Sequence, residues 1–328
     1  MMKHAVIYRY QLPIDSGVLL RHIPLVERVG FIVKLSCDDK IGLGEIAPLP
    51  EFSRESVDDA GLQAQQVLTQ WLNEDTVDLE TVYPSVAFGV SMALTELKGQ
   101  LPQEGNYVVA PLYCGDLTLS VQKLMGISGQ KVAKMKVGFH EAIREGAVAS
   151  MFLEAIPDLM LRLDANRQWT PVKAVQFAKS IPSSLRERIA FLEEPCQTPE
   201  DSLVFSRETG IGIAWDETLS DDEFELEQKQ GVKAIVIKPT LLGSLEKVQE
   251  LISQAYGLGI EVVISSSLES SIGLNQLARV AHWLTSSTTP GLATIDLFKM
   301  QLDKPWPNCS LPVMLLSNCR ITWQQSTQ

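Results

Sequence analysis

From residue 106 onward one unit recurs along the chain: a short apolar run, then an amphipathic stretch of helical period. The runs are NYVVAPLYCG, KVAKMKVG, LMLRLDAN, RIAFLEEP, IGIAWDE, KAIVIKP, IEVVISSS and GLATIDL, and stretches such as GSLEKVQELISQAYGLG separate them. Eight strands alternating with helices over roughly 200 residues constrain the fold more than any other feature. Parallel strands joined by helical crossovers either close into a barrel or spread as a doubly wound sheet. The open sheet usually carries a glycine-rich phosphate turn after its first strand, and none is present here. The pattern therefore predicts an α/β fold of the TIM-like (β/α)-barrel type over residues 101–302.

Before residue 100 the style differs. KHAVIYRYQL and GFIVKLSCDD alternate as strands do, while a run from about Ser53 to Trp71 and SVAFGVSMALTELKGQL after Pro84 have helical spacing. Strands followed by helices predict a small N-terminal α+β capping domain over residues 1–100, which the tail 303–328 is expected to join. Two stretches read as surface loops, Asp15–Arg28 and Gly44–Phe52. Loops of this length are either connectors or lids. The second is proline-rich, hence stiff, and as a lid it would lay Phe52 over a bound substrate as apolar cover.

Charge and cysteine usage narrow the partners. The net charge of −12 argues against nucleic acid or an anionic membrane. No apolar run is long enough to span a bilayer, and the opening MMKHAVIYRY alternates rather than forming a leader peptide. Cys37, Cys114, Cys196, Cys309 and Cys319 are odd in number and lack CxxC spacing, which fits reduced thiols in a cytoplasm. The expected partner is a small molecule; the oligomeric state stays open, a monomer included.

The chemistry lies at the strand ends. In such a barrel functional groups stand where strands meet the following loops, and inward residues alternate with outward ones. Lys134 and Lys136 share a face of the second strand. Arg162 and Asp164 do so on the third, Phe191 and Glu193 on the fourth, Ala214 and Asp216 on the fifth, Val236 and Lys238 on the sixth. One parity thus gathers cations and three carboxylates at the mouth, while Glu194 should face the other way. Taken singly, a strand-end acid is more often a helix cap or surface salt bridge; five charges on successive strands with one parity favour a site. Three carboxylates without a Cys/His cluster are hard oxygen ligands suited to Mg²⁺. A lysine beside a divalent cation and a second lysine titrates nearer neutrality and can serve as a base. His4, His22, His140 and His282 are scattered; Trp169 and Trp215 read as packing, although Trp215 could wall the site. SSSLESS, residues 265–271, reads equally as a helix N-cap and as a source of hydroxyls and amides for an anion.

KMK, LDAN, FLEEP, WDE, IKP and SSSLESSIGL, with GEIAPLPEFS and PSVAFGVSMAL outside the site, resemble the enolase superfamily in its muconate-lactonizing-like subgroup. The match is closest to the menaquinone-pathway dehydratases in their proteobacterial form, and it runs to about Pro312. The resemblance implies a modified (β/α)7β barrel and a lysine base working with Mg²⁺, for which Mn²⁺ can substitute. It makes Asp164, Glu193 and Asp216 the metal ligands, Lys136 the acid/base, Lys134 its neighbour that tunes it, and Lys238 the cation across the site. Arg162, Asn166, Ser265, Ser266, Phe52 and Gly291 would contact the substrate, Arg162 alternatively anchoring a metal ligand from one layer deeper. The implied reaction is the syn-dehydration of 2-succinyl-6-hydroxy-2,4-cyclohexadiene-1-carboxylate to 2-succinylbenzoate, by a cytoplasmic hydro-lyase. Three alternatives stand beside it. A racemase or epimerase of an N-acylamino acid or dipeptide would use the same lysines, although the Asp-x-Asp such enzymes often carry on the last strand is here Asp296 alone. A Schiff-base aldolase would use a lysine without metal. A silent ligand-binding barrel would be expected to have lost one of the charged residues.

Overall fold

Alternating apolar residues open the chain as β1 (Lys3–Pro13), followed by a short hairpin, β2 (Leu19–Leu20) and β3 (Ile23–Pro24), and then β4 (Glu27–Cys37) and β5 (Lys40–Ile46). α1 (Val57–Asn73) starts where the Ser56 hydroxyl accepts the Asp59 amide, and α2 (Pro84–Leu97) starts on a proline, whose missing N–H would be unpaired there in any case. Strands and helices then alternate: α3 (Leu117–Met125), β6 (Lys131–Lys136), α4 (Ala142–Ala155), β7 (Leu159–Asp164), α5 (Pro171–Lys179), α6 (Ser183–Arg186), β8 (Ile189–Glu193), α7 (Pro199–Thr209), β9 (Ile213–Trp215) and β10 (Val232–Ile237). The chain continues through α8 (Pro239–Leu242), α9 (Leu245–Gly257), β11 (Glu261–Ile264), α10 (Ser271–Leu284), β12 (Gln301–Leu302), β13 (Val313–Met314) and β14 (Arg320–Ser326). This computed structural model describes residues 2–327 except 16, 22, 75, 114–116, 128, 222 and 223. Cys114 and His22 therefore lie outside the described residues.

The residues group into two units interleaved along the chain, rather than meeting at one boundary near residue 100. One comprises Met1–Tyr107, Lys238–Ile252 and Ile264–Gln328. Its sheet runs β14-β1-β4-β5, so the tail supplies a strand against β1. Ile7, Val33, Leu35 and Ile46 of that sheet pack on Leu68, Trp71, Val86 and Val90 of α1 and α2. Gly44 and Gly89 permit a close approach of β5 to α2: a Cβ on Gly44 would stand 1.8 Å from the Gly89 carbonyl oxygen. β5 runs to Ile46, so the first residues of the expected Gly44–Phe52 loop are strand.

The other unit comprises Val108–Ile237 and Ser253–Val263. Its strands join the parallel order β11-β10-β9-β8-β7-β6, each beside its neighbour in sequence, as successive βαβ units in a barrel require. The first and last of the eight expected strands are reduced to single bridges, Leu112 to Lys134 and Ser265 to Gly291. Pro111 and Pro290 sit at these bridges, and proline has no N–H to extend a ladder. Asp296, expected on the last strand, lies in a 3-10 turn over Ile295–Leu297. Among the described residues no helix is long and apolar enough to cross a membrane.

Candidate active site

Register places the charged residues. Lys134 pairs with Arg162 and Lys136 with Asp164 across β6 and β7; Asp164 pairs with Glu193 across β7 and β8; Glu193 pairs with Ala214, two residues before Asp216. Ala133 and Met135 are buried on the opposite parity of β6. Asp164, Glu193 and Asp216 are nearly inaccessible, at 3%, 2% and 6% exposure. The Lys134 ammonium lies 2.9 Å from Asp164 Oδ2 and 2.7 Å from Glu193 Oε2.

The electrostatics follow from crowding. Burial draws the Lys134 ammonium down, but attraction by Asp164 and Glu193 outweighs it and holds the group well above its ordinary value. Burial, together with repulsion by Asp164 and Asp216, pushes the Glu193 carboxyl up to about 8 against the pull of Lys134. The lysine is thus engaged with the carboxylates of Asp164 and Glu193. One ammonium among three buried acids leaves negative charge over. That excess is carried on oxygen donors alone, the chemistry a hard divalent cation takes, although among the described residues no three acids are grouped as a cation site as the side chains stand.

Lys136 is exposed at the end of β6. Its Nζ donates to Asn166 Oδ1 at 3.4 Å; Asn166 Nδ2 donates to Glu217 Oε1 at 3.0 Å, and the Asn166 amide donates to Asp164 Oδ1 at 3.2 Å. Asn166 holds a left-handed φ of 43°, which asparagine tolerates better than most residues. It therefore links Lys136 to Asp164 and Glu217. Arg162 is buried, lies over the Phe191 ring at 5.3 Å, and reaches Glu261, the first residue of β11, at 3.7 Å. That places its guanidinium near the N-terminal end of β11, with Glu193 also acting on it electrostatically. Trp169 packs on Phe177 and Trp215 on Phe224.

The remaining candidates belong to the other unit. Lys238 directly follows β10, half-buried, and its carbonyl accepts the Leu241 and Leu242 amides. Ser265 and Gly291 face each other across their bridge, the Ser265 hydroxyl donating to the Gly291 carbonyl at 3.3 Å. A Cβ on Gly291 would come within 2.8 Å of that hydroxyl, so no larger residue fits without displacement. The Ser266 hydroxyl donates to Glu269 Oε2 at 2.7 Å. The start of α10 is already filled: the Glu45 carboxylate accepts the Ser270 and Gly273 amides, both at 2.8 Å, the Ser270 hydroxyl and the Tyr10 hydroxyl. The helix amides expected to serve an anionic substrate are taken by the protein's own carboxylate.

Three residues organise these parts, two of which sequence reading passed over. Glu45 is one. Arg28, 1% exposed, donates to the carbonyls of Ala47, Pro48, Ser267 and Leu268 at 2.6, 2.5, 3.2 and 3.0 Å. It fastens the base of the 47–52 loop to the segment before α10. A lone arginine entering the apolar run VGFIVKL was the available signal. The Arg21 guanidinium lies 4.6 Å from the Phe52 ring centroid. Glu194, the third, projects away from Glu193 as expected and is fully buried.

Against this geometry the comparisons are specific. Residues 118–307 match the family described as "Enolase C-terminal domain-like", and residues 2–97 match "MenC, N-terminal domain". The chain belongs to the enolase superfamily, and its fold is that family's (β/α)-barrel with an N-terminal α+β domain. Within the superfamily it is a member of the o-succinylbenzoate synthase family. The o-succinylbenzoate synthase of Vibrio cholerae is 57% identical over 330 residues, 99% of each chain. That of Aliivibrio salmonicida is 58% identical over 98% of this chain and all of its own. Among solved structures, an o-succinylbenzoate synthase from Thermosynechococcus elongatus, complexed with Mg in its active site, superposes with a TM-score of 0.73 at 21% identity, covering 95% of this chain and 96% of its own. A dipeptide epimerase from Enterococcus faecalis superposes at 0.69 with 20% identity and 91% of both chains, a likeness of fold alone.

Proposed function

We propose that this chain dehydrates 2-succinyl-6-hydroxy-2,4-cyclohexadiene-1-carboxylate to 2-succinylbenzoate, in the cytoplasm, for menaquinone biosynthesis. The observation that carries the reading is the buried triad Asp164, Glu193 and Asp216 with one balancing lysine, in a chain matched end to end by o-succinylbenzoate synthases. The triad would hold Mg²⁺ or Mn²⁺, which supplies positive charge where the substrate carboxylate becomes more negative.

The protein's own groups do the rest. The neutral amine of Lys136, open at the end of β6 and steadied by Asn166, takes the proton α to the carboxylate. The same group, now an ammonium, delivers that proton to the departing hydroxyl on the same face. The C–O bond breaks, water leaves, the ring becomes aromatic, and Lys136 returns to its starting state. Lys238 stays protonated as a fixed cation for the developing charge. Lys134 keeps Asp164 and Glu193 from repelling one another before a metal binds. Gly291, Ser265, Ser266 and Phe52 are the proposed substrate contacts.

The testing experiment incubates the protein with the cyclohexadiene acid and Mg²⁺ and follows the absorbance of the aromatic product. Turnover that stops with chelator and returns with Mg²⁺ is expected; full turnover after exhaustive chelation overturns the metal assignment. Borohydride in the presence of substrate should trap nothing, which separates this reaction from Schiff-base chemistry.

A further inference from the structure

Behind the three candidate ligands lies a second polar cluster that the reaction does not use. Glu194 follows Glu193 at the end of β8 but faces the outer side, with a left-handed φ of 41° and no exposure. Its carboxylate accepts four hydrogen bonds: from the Asp216 amide at 2.9 Å, the Thr218 amide at 2.9 Å, the Thr218 hydroxyl at 2.9 Å and Arg167 Nε at 3.1 Å. Arg167 is also left-handed, at φ 58°, and its amide donates to the Glu194 carbonyl at 2.8 Å. Its Nη2 donates to the Thr218 hydroxyl at 2.7 Å and to Asp221 Oδ2 at 3.1 Å. Asp216 itself sits at φ −129° and ψ −82°, outside strand geometry. Backbone in such regions persists only where its surroundings over-determine it.

The cluster is back to back with the site. Arg167 lies three residues past Asp164, Glu194 is next to Glu193, and the Asp216 amide is bonded directly. Each loop that ends a ligand-bearing strand is therefore tied to the same carboxylate. We infer that the Arg167–Glu194–Thr218 clamp sets the spacing of Asp164, Glu193 and Asp216, and that Glu194 is a positioning residue for divalent-cation affinity. The inference rests on the reading of those three acids as ligands. Ligand orientation by outer hydrogen bonds is a general way in which proteins fix metal affinity. Glu194 needs to be a carboxylate because it meets only donors. A glutamine would turn its own NH₂ toward two of them and leave buried N–H groups unpaired. The clamp pairs one cation with one anion, so its effect on the site comes through geometry more than through charge.

The test measures Mn²⁺ binding to the full-length protein, from the electron paramagnetic resonance signal of free Mn²⁺, alongside thermal melting and steady-state kinetics. The wild type should bind Mn²⁺ and Asp216→Asn should bind it far more weakly. If the wild type does not bind, or Asp216→Asn binds equally, the ligand assignment itself is wrong and the clamp falls with it. Glu194→Gln should weaken Mn²⁺ on the order of tenfold or more, with much of kcat recovered at saturating metal. The double variant Glu194→Gln/Arg167→Gln, which restores charge balance without the clamp, should remain as weak. Recovery of affinity in the double variant would show an electrostatic effect and overturn the geometric one. A Glu194→Gln protein with a lower melting temperature but Mn²⁺ affinity within twofold of wild type would make the cluster merely structural. Should Glu194→Gln not fold, Thr218→Val, which removes one hydroxyl, decides: a severalfold loss of Mn²⁺ affinity supports the clamp and unchanged affinity refutes it.

Discussion

Lys134 Nζ and Glu193 Oε2 lie 2.7 Å apart on adjoining layers of the parallel sheet, with the carboxylate almost wholly buried and the ammonium also touching Asp164. This lysine is the counter-charge of the metal-free site. Lys134→Met should leave three buried acids without it, and destabilise the chelator-treated protein by about 3 kcal/mol. Saturating Mg²⁺ should restore part of the loss. Urea unfolding with and without metal checks this; equal losses in both conditions would show that the charge is not what Lys134 contributes.

The raised Glu193 carboxyl makes metal-free stability depend on pH. Unfolded, the group titrates at about 4.3; folded, burial and the neighbouring acids push it up to about 8. Between these values the native state holds a proton that the unfolded chain has lost, so unfolding free energy falls as pH rises, and the decline ends above the folded value. Lys134 is charged in both states throughout this window and adds no slope. Melting temperatures in chelator should drop from pH 5 to pH 8 and flatten with Mg²⁺. A metal-free melting temperature that climbs across this range would refute the assignment.

The two lysines at strand ends should play unequal parts. Lys136→Arg keeps a charge but offers no base at ordinary pH and should show no turnover. Lys238→Arg should keep some dehydration, since a fixed cation remains, although the larger fork will slow it. The reverse result places the acid/base on the wrong strand. A racemase would need both groups to exchange protons, and neither arginine variant would then work.

Arg28 and Phe52 separate the two ends of one loop. Phe52→Ala should raise KM and leave Mn²⁺ affinity unchanged. Arg28→Met removes the donor to four buried carbonyls, so it should cost about 3 kcal/mol of stability and also raise KM, because the tip loses its base. Identical kinetics in Phe52→Ala and wild type would make the loop a connector only.

How much of this was legible in the sequence depends on the range of the signal. Period and parity are local: KMK, LDAN, FLEE and WDE place their charged residues on one face of successive strands wherever the strands pair in order, and they do. The pairing of Arg28 with Ser267 and Leu268, or of Glu45 with Ser270, joins residues more than 200 positions apart, and nothing in either segment names the other. Thus the serine segment reads equally as a helix N-cap and as an anion site; Ser270 does cap α10, and the carboxylate that fills the helix start comes from distant Glu45. The partner of Lys134 is hidden for a related reason: parity puts it beside Lys136, and the length of its side chain lets it reach across to Glu193. The bridges at Leu112 and Gly291 were overestimated as strands because apolar content was weighed above the prolines.

The pairing of β1 on both sides, with β4 and with β14, has a consequence for how the chain is made. The Lys3 amide donates to Thr327 Oγ1 across 324 positions of sequence. A ribosome adding roughly 5–20 residues per second delivers β14 on the order of tens of seconds after β1. Through that interval the outer edge of β1 offers a row of unpaired amides and carbonyls, the kind of edge that recruits strands from other chains. The edge of β1 is therefore open while most of the barrel is already synthesised, and covering it with β14 closes one route to pairing with other chains.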